Sequence, residues 1–125
     1  MSTLTSNFEK FALALALTES DDNERAWGDD GGHGVNYLAC GRWQMHPAFV
    51  WEFGPAQVQV LDSWNTVFKH TLFNFWMSRG AAGRSENQIA MEFHLGVAAV
   101  KEGRWAKGYD EDFTKHLLGL PTGSA

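Results

Sequence analysis

Cysteine, proline and long apolar runs are what this 125-residue chain has least of: one Cys, three Pro, and no uncharged apolar window near the ~18 residues a membrane span needs. Cys40 alone cannot close an internal disulfide, which fits a chain folded under reducing conditions. The longest apolar stretch, residues 11–17, is short and follows Glu9 and Lys10, so no membrane insertion is expected. Met1-Ser2-Thr3-Leu4-Thr5 has neither a basic stretch nor a small-residue cleavage site, so no signal peptide is expected. Basic residues are also few. Ten Lys and Arg against 15 Asp and Glu give a net charge of −5, which argues against general nucleic-acid binding and against adhesion to anionic surfaces by charge.

Aromatic residues are abundant instead, at 14% with six Trp. Large rings fill a small core efficiently, so Trp43 and some of Trp51, Trp64 and Trp76 are expected inside. The competing use is a groove whose indoles hold a flat ligand such as a sugar. The length sets one domain, residues 1–125 with its core over about 6–119, and should bury roughly two thirds of the unfolded surface.

The pattern is helical with one irregular insertion. Ser6 and Glu9 have capping-box spacing, and Phe8, Phe11, Ala12, Leu15 and Ala16 then form an apolar face ending near residues 18–20. Residues 28–41 hold five of the 13 glycines and break the pattern; strands at 35–38 and 42–45 around a tight turn would make a small hairpin or long loop. Pro47 suits a first helical turn, with 48–53 following and Gly54-Pro55 ending it. Asp62 or Ser63 caps a helix carrying Trp64, Val67, Phe68, Leu72, Phe75 and Trp76 and closed by Gly80. Ser85 and Gln88 repeat the capping box ahead of a face formed by Ile89, Phe93, Gly96, Val97 and Val100, ended by Gly103. Asp110 caps a last helix through Phe113 and Leu117, stopped at Gly119 and Pro121, with residues 122–125 frayed. The expected class is α+β, mostly α, with a small early β lobe.

Glu19 is the first candidate for chemistry. It follows an apolar helical run, and a carboxyl desolvated at a helix C-terminus favours its protonated form, as a general acid requires. Gln44 and His46 form the second. Strand alternation through 42–46 points them away from Trp43 and Met45, and an amide offers both a donor and an acceptor to a sugar. His33, Cys40 and His46 lack metal-ligand spacing, the Asp21-Asp22-Asn23 and Asp29-Asp30-Gly31 clusters lack an EF-hand pattern, and residues 28–34 lack a phosphate-loop ending, so no metal or cofactor is expected. His70, His94 and His116 fall on helices at no ligand spacing.

The order of these pieces carries more than any one. A helix ends in Glu19-Ser20; Asn23, Ala26, Gly28-Asp29 and Gly31 follow; then comes Gly41-Arg42-Trp43-Gln44-Met45-His46-Pro47. Across residues 8–118 this resembles the lysozyme-like superfamily, specifically its soluble lytic transglycosylase and phage lysozyme-like branch. Those chains carry Glu-Ser at a helix end, a Gly-x-x-Gln-aliphatic-x-Pro element, a Tyr-Asn-x-Gly helix segment and a late aromatic. Here Phe93-His94-Leu95-Gly96 occupies the Tyr-Asn-x-Gly place, with Phe and His as departures, and Tyr109 or Phe113 is the late aromatic.

The resemblance implies a lysozyme-like fold and a glycosidase cleaving the β-1,4 bond next to N-acetylmuramic acid in peptidoglycan. Glu19 would be the acid. Asp29 would be the second carboxylate, with Asp30 as an alternative. Ser20, Gln44, His46, Phe93, His94 and Tyr109 would contact substrate. Arg42 would offset substrate carboxylates or pair with a local Asp, and Trp43 would pack beneath the hairpin or stack on a sugar. The expected partner is the peptidoglycan glycan strand, met by a monomer made in the cytoplasm and reaching the wall by holin-type or other export. The alternatives are a chitin- or chitosan-cleaving relative and a non-catalytic lysozyme-like binding or phage structural protein.

Overall fold

In the computed structural model, residues 7–29, 38–56 and 63–120 are described, apart from the side chains of Asp29 and Leu38. The first helix, α1 (Asn7–Ser20), buries Phe8, Phe11, Ala12, Ala14, Leu15 and Ala16, the face expected from the spacing plus Ala14. The Ser6 cap lies outside the described residues. Two three-residue strands follow, β1 (Trp27–Asp29) and β2 (Leu38–Cys40), paired antiparallel with Gly28 opposite Ala39 and Trp27 opposite Cys40.

Pairing therefore begins earlier than the alternation suggests. Residues 42–44 form a turn, not a strand: Gln44 N donates to Gly41 O at 3.1 Å, and Met45 bridges back to Cys40. Gly41 at φ +83° opens the turn, and a Cβ there would lie 2.8 Å from the Phe68 ring. Residues 35–37 of the expected first strand lie outside the described residues.

Four helices and one helical turn complete the fold. Helix α2 (Pro47–Phe53) carries Pro at its start, where the missing N–H costs nothing, and ends at Gly54. Helix α3 (Trp64–Ala81) is capped by Ser63, whose Oγ accepts from Thr66 N; Asp62 lies outside the described residues. It runs one residue past Gly80, where an added Cβ would meet open space. The capping box of Ser85 and Gln88 starts α4 (Glu86–Leu95). The expected single helix through Gly103 is broken at Gly96 (φ +100°), and α5 (Val97–Lys101) is a separate turn. Its apolar spacing continues across the break, so periodicity alone does not reveal it. Helix α6 (Lys107–Gly119) begins before Asp110, which instead accepts from Asn87 Nδ2 at 2.7 Å; Asn87 also donates to Thr114 Oγ1 at 2.7 Å. This pair of bonds docks α6 on α4. The expected stop at Pro121 and the frayed tail lie outside the described residues.

The core is phenylalanine-rich. Phe11 meets Phe113 edge-on at 5.6 Å, joining α1 to α6, and Phe75 packs with Phe49, Phe53 and Phe93. Each such ring or Leu side chain taken out of water contributes about 1.5–3 kcal/mol. Trp43 is buried at 3% exposure, and its Nε1 donates to Ala12 O at 2.8 Å. Trp76 packs against the core edge. Of the three further indoles, of which only some were expected inside, Trp51 and Trp64 stay out, at 92% and 69% exposed. Helix α2 is seven residues long and buries none of them, so Trp51 points outward. Among the described residues no helix is long and apolar enough to cross a membrane.

Candidate active site

Glu19 sits one residue from the end of α1, and Ser20 fixes that end. The Ser20 hydroxyl donates to Arg42 O at 2.7 Å and accepts from Asn23 N at 3.1 Å. The chain then turns through Asp21 and Asp22 at φ +55° and +63°. Two left-handed non-glycine residues in a row cost free energy, which the Ser20 bonds and local charges offset. Arg42 lies 3.5 Å from Asp22 and 3.3 Å from Glu24, so of its two expected uses it takes the local pairing. These contacts bind the helix end to the hairpin turn. They place Ser20 in a supporting position, outside the cleft lining.

A cleft of about 290 Å³ opens beside Glu19, lined also by Gly28, Ala39, Gln44, Met45, His46, Phe49, Phe93 and His94. Five of the eight expected site residues thus meet around one space: Glu19, Gln44, His46, Phe93 and His94. Gln44 reaches it from a left-handed backbone (φ +49°) with its Nε2 donating to Gly41 O at 2.9 Å. Its Oε1 lies so close to Gly28 that a Cβ on that residue would collide with it. Gly28 is therefore needed for close approach of the amide. His46 precedes Pro47 at the head of α2; its Nδ1 is buried and meets no hydrogen-bond partner among the described residues. The side chain of Asp29 lies outside the described residues.

The opposite wall is held from below. Glu92, buried in α4, accepts from Arg79 Nε and Nη2, each at 2.8 Å, and Arg84 Nε lies 3.2 Å away. Taking a carboxylate out of water is tolerable only with such pairing. The cluster anchors the turn that presents Phe93 and His94, and Phe93 packs edge-on against Phe49 at 5.0 Å.

Glu19 itself is 13% exposed. Its Oε2 accepts from the Tyr109 hydroxyl at 2.5 Å and faces His94 Nδ1 at 3.7 Å. No described residue is seen donating to the other oxygen, Oε1. Burial pushes the Tyr109 phenol well above its ordinary value of 10.0; the Glu19 charge and the hydrogen bond push the same way. Tyr109, expected as a sugar contact, is thus placed on Glu19, 90 residues away in sequence. Sequence reasoning missed Gly28, Ala39, Met45 and Phe49 as lining. Phe49 was signalled only by standing three residues after His46, where a helix from Pro47 turns it to the same side.

Among the described residues no three His, Cys, Asp or Glu side chains gather closely enough to hold a metal ion. What the cleft offers is one largely shielded carboxyl with a single oxygen engaged, facing an amide, two imidazoles and two phenyl rings. Such a set suits proton transfer to a polar, ring-shaped substrate. Compared with family models, curated proteins and solved structures, the chain finds no match.

Proposed function

We propose that this chain is a peptidoglycan-degrading glycosidase of lysozyme-like fold that cleaves the β-1,4 bond next to N-acetylmuramic acid, with Glu19 as general acid. The observation that carries the reading is Glu19 at the cleft wall, with Oε2 engaged by Tyr109 and Oε1 left for a reacting group. The order of Glu19-Ser20 and Gly41-Arg42-Trp43-Gln44-Met45-His46-Pro47 supports it.

A glycosidic oxygen leaves readily only if protonated as its bond breaks. Glu19 Oε1 delivers that proton. The resulting carboxylate, steadied by the Tyr109 hydroxyl, then takes a proton from the incoming nucleophile. Water as nucleophile gives a reducing muramyl end; the muramyl 6-hydroxyl gives a 1,6-anhydro ring. The Gln44 amide, with its Nε2 engaged by Gly41 O, presents Oε1 to substrate N–H or O–H donors. Phe49 and Phe93 offer apolar rings to the sugar face.

The test is incubation of purified protein with peptidoglycan and mass analysis of the products. Muropeptides with reducing or 1,6-anhydro ends are expected, and the mass difference of one water separates the two routes. Chito-oligosaccharides released from chitosan without muropeptides would move the substrate. No cleavage of either polymer would leave a binding protein.

A further inference from the structure

The ring of His94 lies face to face with that of Tyr109, with centroids 3.8 Å apart and planes 8° from parallel. Its other surroundings are the cleft, where it is 38% exposed, and Glu19. It stands at the C-terminal turn of α4, the element anchored by the Glu92 cluster. The titratable groups that share this space are Glu19 from α1, Tyr109 from α6 and His46 from the head of α2.

Two features need explaining. The Tyr109 hydroxyl must stay on Oε2, because a phenol free to swing would leave Glu19 without a fixed orientation. The bond between them must also be kept from water at the edge of a solvent-filled cleft, since a hydrogen bond strengthens where the dielectric is low. A flat ring laid parallel over the phenol does both. We propose that His94 is a positioning residue: its ring covers and holds Tyr109, and through Tyr109 it fixes Glu19 with Oε1 facing the substrate. The action is that of a flat ring, not of an imidazole that gives or takes protons. This rests on the reading of Glu19 as the acid.

The experiment separates the two ideas. Tyr37→Phe leaves Tyr109 as the one tyrosine in the chain, so tyrosinate absorbance against pH reports it alone. In that background, His94→Ala and His94→Phe are compared with the parent for phenol titration and for kcat and KM on peptidoglycan. His94→Ala is expected to ionise Tyr109 at lower pH and to lower kcat about tenfold with KM nearly unchanged, the scale of a displaced catalytic group. His94→Phe is expected to restore both. Should His94→Ala fail to fold, His94→Asn, too small to cover the phenol, replaces it. A His94→Phe protein as slow as His94→Ala overturns the proposal, because the imidazole would then act itself. So does a Tyr109 titration unmoved by loss of the ring, or a loss confined to KM, which would make His94 a substrate contact. If the parent protein cleaves no glycan, the functional reading falls, while the tyrosine titration still decides what His94 does to Tyr109.

Discussion

On one side of the β1–β2 hairpin, Gly28 and Ala39 face the Glu19 cleft of about 290 Å³; on the other, Trp27 and Cys40 face a groove of about 1050 Å³ whose rim carries Trp51 and Trp64. The smaller space is the more determined one. Its walls are held by specific bonds: Ser20 to Arg42 across 22 residues behind the cleft, Gln44 to Gly41 within the turn, and Tyr109 to Glu19 across 90 residues. The larger one is framed by indoles that are mostly in solvent, with Trp64 laid over Phe68 at 5.9 Å. Size and apolarity alone would favour the groove as a ligand site. Convergence of polar groups on a shielded carboxyl favours the cleft, and chemistry needs the second property.

The comparison breaks most sharply at Glu19. Replacing it with Gln keeps the shape and removes the proton, so peptidoglycan turnover should fall by roughly two to four orders of magnitude with little change in melting temperature. A stable Glu19→Gln protein of near parental activity would take the acid role from it. Next come the indoles. Trp43→Ala opens a cavity under the hairpin and takes away the indole N–H that donates to Ala12 O; a loss of about 3–5 kcal/mol in denaturant unfolding is expected. Trp51→Ala, at a 92% exposed position, should stay within about 0.5 kcal/mol and leave turnover alone. Equal losses at the two sites would erase the distinction between the faces.

Gly28→Ala sharpens the comparison within the cleft. The new methyl collides with Gln44 Oε1 and must push the amide aside, so activity should drop about tenfold while the fold holds. Unchanged kinetics would remove the Gln44 amide from the site. The smallest effect belongs to Tyr109 in alkali. Its folded-state phenol keeps its proton above the ordinary value of 10.0, whereas the unfolded chain releases it there. Stability from this group is therefore full below pH 10 and declines as pH rises toward the folded value, by at most about 1.4 kcal/mol per pH unit. Tyr109→Phe should flatten that decline in melts taken above pH 10.

What the sequence made legible was local. The cap at Ser63, one of two expected there, the capping box of Ser85 with Gln88, Pro47 at a helix start, and the α1 face all follow from neighbours within four residues, and all are found. Glu19, Gln44 and His46 were placed by the same short-range logic, although Gln44 reaches the cleft from a left-handed turn and not from a strand. The break at Gly96 was hidden because Phe93, Val97 and Val100 keep helical spacing across it. The fates of the tryptophans were hidden for another reason: burial depends on which helix has a neighbour, and α2 buries no residue. Nothing local links Tyr109 to Glu19, since that contact follows from α6 docking on α1.

That docking has a consequence in time. The helices that bring Glu19 and Tyr109 together lie at opposite ends of the described chain, 90 residues apart at the hydrogen bond. A ribosome adding about 5–20 residues per second takes on the order of 5–20 s to go from one to the other. Throughout that interval α1 has been made but has no α6 to cover Phe11, and Glu19 has no phenol to hold it. The Glu19–Tyr109 pair is thus assembled only once α6 has emerged, and nascent fragments that stop short of α6 carry the carboxylate without its partner.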